Sequence, residues 1–239
     1  MERICDLHGH FLPGMDDGCK TPEESVQVLQ SSYRQGIRRV CATPHYYPVE
    51  PVEEFLQRRA VSARQLSDYI QENNIKDIPQ ICLGAEVAYR PGLGHQENLE
   101  KLCLGASEYM LLEMPFSRWG KAEEREVRNI CVAGGVIPIL AHIERYFDYQ
   151  DKKGLAAIVN QDVLVQMNAE ALAEPTTRRR SLKLLKQGLV HLLGTDCHNM
   201  TDRAPNMDQA IAFLQKKRKN EIIEKVLWFS DSLWAEMFK

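Results

Sequence analysis

Short apolar runs recur along the chain, and they constrain its fold more than any other feature. Seven runs are rich in Ile, Val and Leu without polar alternation, a pattern typical of strands buried on both faces. They cover residues 3–6, 39–43, 80–85, 109–112, 136–141, 164–167 and 189–193. Helical patterns separate most of these runs, which predicts parallel βαβ units. Seven such units favour a closed barrel over an open sheet.

The start and end of one helix can be predicted from the residue types at its boundaries. In TPEESVQVLQSSYRQG, Thr21 is a suitable N-cap, Pro22 takes the first helical position, and Glu24 completes a capping box. Gly36 then allows the chain to leave the helix. Similar patterns after most other strands support an alternating α/β chain.

The C-terminal segment NEIIEKVLWFSDSLWAEMF contains aromatic residues at helical spacing. This spacing predicts one or two apolar helices that cap the barrel. We expect four aromatic side chains to pack in the core, and a surface for a partner is the alternative. They are Trp228, Phe229, Trp234 and Phe238.

Length and composition limit the classes of function. The 239 residues fit a single domain over residues 1–239. A net charge of −3 provides no general basic field for nucleic acid or an anionic membrane, and the run Arg178-Arg179-Arg180 is interpreted as a solvated helix face. Seven cysteines without a C-x-x-C pair, and no apolar span at the start, predict a cytoplasmic protein without membrane insertion.

Side chains that suit metal ions follow the predicted strands. In a parallel barrel the carboxyl ends of the strands meet at one rim, where chemistry gathers. A single His or Glu there is weak evidence, but at least six of the seven predicted strands deliver such a residue. Imidazole and carboxylate together suit manganese, iron or zinc, and their number exceeds the needs of one tetrahedral ion. Two or three ions bridged by carboxylates fit better. The candidates are His8, His10, Asp17, His45, Glu86, Glu113, His142, Asp196 and His198.

Two of the seven histidines do not fit this pattern. His191 lies inside an apolar run and is interpreted as a structural histidine. His95 lies in a glycine-rich loop and is expected at the surface.

A competing motif is the pair Cys197 and Arg203, which has the C-x5-R spacing of thiolate-dependent phosphatases. The intervening HNMTD has no glycine to form a phosphate-cradling loop. Cys197 also lies between Asp196 and His198, two metal-ligand candidates. We therefore expect Cys197 to point into the barrel wall, away from the substrate.

Eight motifs together resemble a known superfamily. They are DLHGH, PGMDDG, TPHYYP, GAEV, LLEMPF, LAHIERY, MNAEAL and GTDCHN, spread over about residues 1–207. In order and spacing they resemble the PHP (polymerase and histidinol phosphatase) superfamily, and within it the bacterial metal-dependent tyrosine phosphatases of capsule and exopolysaccharide operons. The resemblance implies a distorted seven-stranded (β/α)7 barrel of PHP type with three divalent metal ions. Manganese is the expected metal, with iron and zinc as alternatives.

The resemblance also implies roles for individual residues. A first metal would be held by His8, His10, Glu86 and Asp196. Glu86 would bridge to a second metal, which Glu113 and His142 complete. A third metal would be held by Asp17, His45 and His198. Arg145 and Arg203 match arginines that bind the phosphate. Gly9 departs from the family, which usually has serine there, and the tail lacks the family's common asparagine-proline ending.

The function implied is hydrolysis of phosphotyrosine on the tail of a bacterial tyrosine kinase, which regulates capsule or exopolysaccharide synthesis. Metal ions lower the pKa of a water, hydroxide attacks phosphorus in line, and the arginines stabilise the equatorial oxygens. A PHP phosphoesterase acting on a small molecule such as histidinol phosphate is the first alternative. A non-catalytic metal-binding regulatory protein is the second. A nucleic-acid partner is not expected, and the sequence leaves the oligomeric state open.

Several residues near the predicted rim allow more than one interpretation. Asp16 can cap a turn, which we favour, or, like Glu170, support a metal ligand or act as an acid. Asn168 can support a ligand or simply end its strand. Tyr46 and Tyr47 can flank a substrate ring or pack locally, and Arg90 can help to bind an acidic substrate.

Overall fold

The computed structural model describes residues 4–238, which form an α/β fold on a curled parallel sheet. Within this range there are nine short strands: β1 (Ile4–Asp6), β2 (Ile37–Ala42), β3 (His45–Tyr46), β4 (Gln80–Leu83), β5 (Glu86–Ala88), β6 (Tyr109–Glu113), β7 (Ile137–Leu140), β8 (Leu164–Asn168) and β9 (Leu192–Gly194). One sheet has the order β1-β2-β4, the other β3-β5-β6-β7-β8-β9. Within each sheet, all neighbouring strands of the described range pair in parallel, as the βαβ pattern predicts.

Two short strands that the sequence did not predict, β3 and β5, lie just beyond the predicted runs 39–43 and 80–85, which is why the described part of the chain has nine. Thr43 and Pro44 separate β2 from β3, and proline has no N–H to donate to a strand ladder. Gly84 and Ala85 separate β4 from β5. A Cβ at Gly84 would lie 2.5 Å from a methyl carbon of Leu104, so the chain passes too close to its neighbour for a larger residue. Residue 3 of the first predicted strand lies outside the described range.

The segments that follow the first and last strands are joined directly. A parallel bridge pairs Gly9 with Cys197. The backbone N–H of Asp196 donates to the carbonyl of His8 at 2.9 Å, and that of His10 donates to the carbonyl of Cys197 at 2.8 Å. A Cβ at Gly9 would lie 3.2 Å from the Cys197 sulfur, so this glycine leaves room for that side chain. Two segments that carry ligand candidates are thereby held side by side.

The described residues include seven α-helices: α1 (Pro22–Arg34), α2 (Val52–Glu72), α3 (Lys121–Val132), α4 (Lys152–Val159), α5 (Pro175–Lys186), α6 (Met207–Lys216) and α7 (Asn220–Glu236). Thr21 caps α1, since its hydroxyl accepts from the N–H of Glu24 at 3.3 Å. The Glu24 carboxylate accepts from the N–H of Lys20 at 2.7 Å, one residue before the predicted capping-box partner. None of the helices in residues 4–238 combines the length and apolarity needed to cross a bilayer.

The C-terminal helix packs on the sheet, but it buries only part of its aromatic set. Helix α7 lies against β1 and β9, and Trp234 is buried in a cluster that includes Cys5 and Leu192. Trp228 and Phe238 are 67% and 63% exposed, so the prediction that they lie in the core was wrong. The buried positions 223, 226, 230, 233 and 234 follow helical spacing along one face, and a single packed face cannot also bury position 228.

Candidate metal centre

Side chains from the ends of the strands converge into three overlapping groups. Within each group the candidate ligand atoms lie within 4.8 Å of one another. The groups are His8, His10, Glu86 and Asp196; Glu86, Glu113 and His142; and His10, Asp17, His45 and His198. All nine predicted ligand residues are therefore brought together. The third group also includes His10, which the sequence assigned to the first group alone.

Glu86 stands between the groups and touches four histidines. Its Oε2 lies 3.3 Å from Nε2 of His8, 3.2 Å from Nε2 of His10 and 3.2 Å from Nδ1 of His45. Its Oε1 lies 2.9 Å from Nε2 of His142. Burial raises the pKa of Glu86, but the surrounding histidines hold it well below its usual range. The carboxylate therefore has one oxygen toward each of two neighbouring groups.

Asp196 uses its two oxygens differently. Oδ1 lies 3.4 Å from Nε2 of both His8 and His10. Oδ2 accepts from the guanidinium groups of Arg145 and Arg203, the second at 3.0 Å, and from the amide of Asn168 at 3.0 Å. The two arginines predicted to bind phosphate thus meet at the edge of the histidine–carboxylate cluster.

Two of the candidate ligands have a backbone conformation that is rare outside glycine. His142 has a φ of 32° and Asp196 a φ of 52°, each just after a strand. A left-handed conformation at such residues costs about 1–3 kcal/mol and clusters at functional sites. The fold holds these two residues in that conformation, which directs their side chains into the cluster.

The buried charges and unpaired atoms of the cluster fit a bound cation. Burial alone lowers the pKa of His10, but Asp16 and Glu86 raise it to about 10. Burial likewise lowers the pKa of His142, but Glu113 and Glu86 raise it to about 9. Protons on these two imidazoles would therefore balance part of the carboxylate charge, and metal binding would displace them. Four buried atoms here make no hydrogen bond: His45 Nδ1, His142 Nδ1, Asp196 Oδ1 and His198 Nε2. Three of them lie only at ion-pair distance from a neighbouring side chain: His45 Nδ1 is 3.2 Å from Glu86, Asp196 Oδ1 is 3.4 Å from His8 and His10, and His198 Nε2 is 3.3 Å from Asp17. Nitrogen and carboxylate donors of this kind suit transition-metal ions.

Asp16 has a role that the sequence reasoning did not favour. Its Oδ2 lies 2.7 Å from Nδ1 of His10 and accepts from the N–H of His45 at 2.9 Å. Its Oδ1 accepts from the N–H of Gly18 at 2.9 Å, so the turn interpretation is also correct. The turn requires glycine there, because a Cβ at Gly18 would lie 1.9 Å from the carbonyl oxygen of His10. Asp16 therefore orients two candidate ligands from one turn.

Gln166 was missed in the sequence analysis and supports two further candidates. Its Oε1 accepts from the backbone N–H of His142 at 2.6 Å and lies 3.2 Å from Nδ1 of His8. Its Nε2 donates to Oδ1 of Asn168 at 2.9 Å. A proton on Nδ1 of His8 would leave Nε2 free to bind metal, the usual arrangement for a ligand histidine. A glutamine inside the apolar run LVQMN was the available signal.

Exposed aromatic rings flank the cluster on two sides. Phe116, also missed, is 43% exposed and stacks on His142 with ring centroids 5.9 Å apart. Tyr47 is 53% exposed and stacks on His45 at 5.7 Å. Tyr46 is fully buried, and its hydroxyl donates to the Glu50 carbonyl at 2.8 Å, so it cannot flank a substrate.

Four other predictions concern residues outside the cluster. Cys197 is buried in the hydrophobic core and burial raises its pKa, which confirms the expected position away from the substrate. His191 is half-buried, and its Nδ1 accepts from the N–H of Val165 at 3.0 Å, in keeping with a structural role. His95 is exposed as expected. Arg90 is exposed, and its guanidinium donates to the Pro48 carbonyl at 2.7 Å.

These features define an α/β protein whose candidate metal ligands gather at the carboxyl ends of parallel strands. Comparison of the sequence with family profiles then identifies the group within that class. Residues 4–232 match the family described as capsular polysaccharide synthesis, CpsB/CapC. The chain belongs to this family, as its eight motifs predicted.

Two named relatives are similar in sequence to this chain over nearly its whole length. The tyrosine-protein phosphatase CpsB of Streptococcus pneumoniae is 31% identical over 233 residues, which covers 90% of each protein. The tyrosine-protein phosphatase YwqE of Bacillus subtilis is 28% identical over 230 residues, covering 92% of this chain and 87% of YwqE.

Two solved structures are also similar to this chain, one in sequence and fold and the other in fold alone. One from work on YwqE and CpsB, described as metal-dependent tyrosine phosphatases, superposes with a TM-score of 0.78 at 26% identity and covers 92% of this chain and 89% of that one. A lactonase from Listeria monocytogenes superposes with a TM-score of 0.54 at 12% identity, covering 93% and 91%, a likeness of fold alone.

Proposed function

We propose that this protein is a metal-dependent tyrosine-protein phosphatase of capsule or exopolysaccharide synthesis. One observation carries the proposal: a buried histidine–carboxylate cluster centred on Glu86, with two arginines at its edge on Asp196. A metal site alone fits many hydrolases, whereas paired guanidinium groups are suited to phosphate oxygens. The names of the relatives point to the same activity.

The proposal includes three divalent metal ions, with manganese expected. The overlap of the three groups through His10 and Glu86 supports that number, since shared ligands let neighbouring ions lie close together. When bound, such ions lower the pKa of a coordinated water and neutralise charge on a phosphoryl group. A distorted seven-stranded PHP barrel in a single domain of residues 1–239 is part of the proposal, and the Gly9–Cys197 bridge supports closure of the strand series.

The chain's own residues would bind and orient the phosphate. Arg145 and Arg203 converge on one carboxylate oxygen of Asp196, so their donors already point to a common place. A phosphate next to Asp196 would accept hydrogen bonds from both guanidinium groups and stabilise the charge that develops on its equatorial oxygens. The phenolate of tyrosine, with a pKa of about 10, leaves without much help from an acid. A dedicated proton donor is therefore unnecessary.

The proposed physiological substrate is the phosphotyrosine-bearing tail of a bacterial tyrosine kinase in the cytoplasm. Exposed Phe116 and Tyr47 support an aromatic substrate, because both rings stand beside the cluster and are open to solvent. A flexible peptide segment could reach this open rim.

A panel of substrates tests the proposal. We expect the manganese-loaded protein to hydrolyse a phosphotyrosyl peptide with a kcat/KM at least about 10²-fold above that for histidinol phosphate or a phosphoseryl peptide, since an alkoxide is a poorer leaving group than a phenolate. Steady-state release of phosphate measures all three. A preference for histidinol phosphate would assign the protein to small-molecule phosphoesterases. Failure to hydrolyse any of the three would favour a regulatory metal-binding protein.

Replacement of Phe116 tests the aromatic side of the site. Phe116→Ala is expected to raise KM for a phosphotyrosyl peptide by about 2–10-fold, the effect of losing an aromatic pair worth about 0.5–1.5 kcal/mol. Phe116→Tyr should preserve KM, and Phe238→Ala is the control at an exposed aromatic outside the cluster. A large fall in kcat with loss of metal would instead show that Phe116 merely supports His142.

A further inference from the structure

A cavity of about 360 Å³ lies between helices α4 and α5, apart from the residues of the metal cluster. Its size is within the range of about 300–1,000 Å³ typical of ligand pockets. Ile143, Phe147 and Val165 line it from the sheet side. Ile143 and Phe147 flank Arg145 in the chain, so an occupant would lie next to the segment that carries one of the phosphate-binding arginines.

The walls of the cavity are aliphatic and only partly covered. Leu155 and Val159 of α4, together with Leu184 and Leu189 of the α5 region, line it and are half-buried. A ligand that covered these side chains would gain about 25 cal/mol for each Å² of apolar surface removed from water. The walls therefore favour an alkyl chain over a polar molecule.

The helices around the cavity carry charge of one sign. Helices α4 and α5 contain seven Lys or Arg residues and no Asp or Glu, although the whole chain has a net charge of −3. Lys152, Arg180 and Lys183 line the cavity itself, and within residues 4–238 no acidic residue does so. Arg180 is fixed in place: its Nη1 donates to the Phe147 carbonyl at 2.9 Å, and its guanidinium lies 4.2 Å from the Phe147 ring centroid.

We propose that this cavity binds a single-chain anionic amphiphile, with its alkyl chain against the aliphatic walls and its head group at Lys152, Arg180 and Lys183. A small anion would leave the aliphatic walls in water, and a neutral alkane would leave the three cations unmatched. An amphiphile satisfies both the walls and the charges.

Titration calorimetry of the metal-loaded full chain with decanesulfonate, below its micellar concentration, tests this proposal. A sulfonate is chosen because it cannot be hydrolysed. We expect one site per chain, with binding by ethanesulfonate and by decyltrimethylammonium weaker by about tenfold or more. Equal binding of either comparison compound would overturn the proposal, because the head group alone or the chain alone would then explain it.

Two pairs of variants locate the site. Ala156→Trp, at an exposed position on the cavity wall, should weaken decanesulfonate binding by about tenfold or more, whereas Ala122→Trp, exposed on α3, should not. The double change Lys152→Glu and Lys183→Glu should also weaken binding, and Lys216→Glu with Lys217→Glu, exposed at the C-terminal end of α6, is its control. Unchanged affinity in both cavity variants would show that the amphiphile binds elsewhere.

Discussion

Removal of bound metal ions is expected to lower phosphotyrosine hydrolysis by at least about 10³-fold, and added manganese is expected to restore it. The reason lies in the cluster around Glu86 and Asp196. Their carboxylates are buried among histidines, where three groups of candidate metal ligands overlap. Phosphate release by chelated, manganese-restored and untreated protein measures the effect.

Thiol alkylation is the matching control for this experiment. Cys197, the only cysteine followed by an arginine at the C-x5-R spacing, is buried, and burial raises its pKa. A buried protonated thiol is a poor nucleophile, so activity should survive alkylation of the folded protein. Activity that resisted chelation and was lost on alkylation would show that the thiol carries the reaction and would refute the metal assignment.

Glu86→Gln is the substitution with the largest expected effect. The side chain keeps its size but loses the charge and the second carboxylate oxygen that face two groups of candidate ligands. We expect the variant to hold at least one metal ion fewer per chain than the unaltered protein. The expected fall in kcat/KM is about 10³-fold or more, the scale seen when a preorganised electrostatic group is lost. Metal analysis by mass spectrometry and steady-state kinetics provide the two measurements.

Glu126→Gln is a matched control for that substitution. Glu126 is also buried, and its carboxylate accepts from the N–H of Gly94 at 2.9 Å, but it lies in none of the candidate groups. The control should keep its metal content and activity, even if replacing a charged hydrogen-bond acceptor lowers its stability. Full metal content and full activity in Glu86→Gln would contradict the central role given to this carboxylate.

The candidate ligands could be found from the sequence because the fold class makes strand ends meet. Once the apolar runs were read as parallel strands, residues as distant as His8, Glu86 and Asp196 were expected at one rim. The strand positions were also largely predictable, since buried parallel strands have continuous apolar composition. Pro44 and Gly84, which lie where strand pairing is interrupted, could be seen in the sequence. Their effect on pairing could not be predicted, because it depends on the neighbouring strand.

Residues that support the ligands were harder to identify. Gln166 touches His8 and His142, which are 158 and 24 residues away, and Asp16 touches His10 and His45 through one carboxylate. Such contacts depend on side-chain direction and on strand register. Phe116 and Trp228 were missed or misplaced for a similar reason: a periodic pattern predicts that a helix or strand is amphipathic, but packing decides which aromatic ring stays in water.

The sequence by itself therefore determined the parallel α/β class, the set of candidate metal ligands and the burial of Cys197, because these follow from composition and from order along the chain. The tertiary structure alone decided that His10 would belong to two groups, that Asp196 would face histidines with one oxygen and arginines with the other, and that His142 and Asp196 would take left-handed backbone conformations. These features depend on distances between atoms far apart in the chain. Backbone torsions and strand register set those distances, and residue type does not specify them.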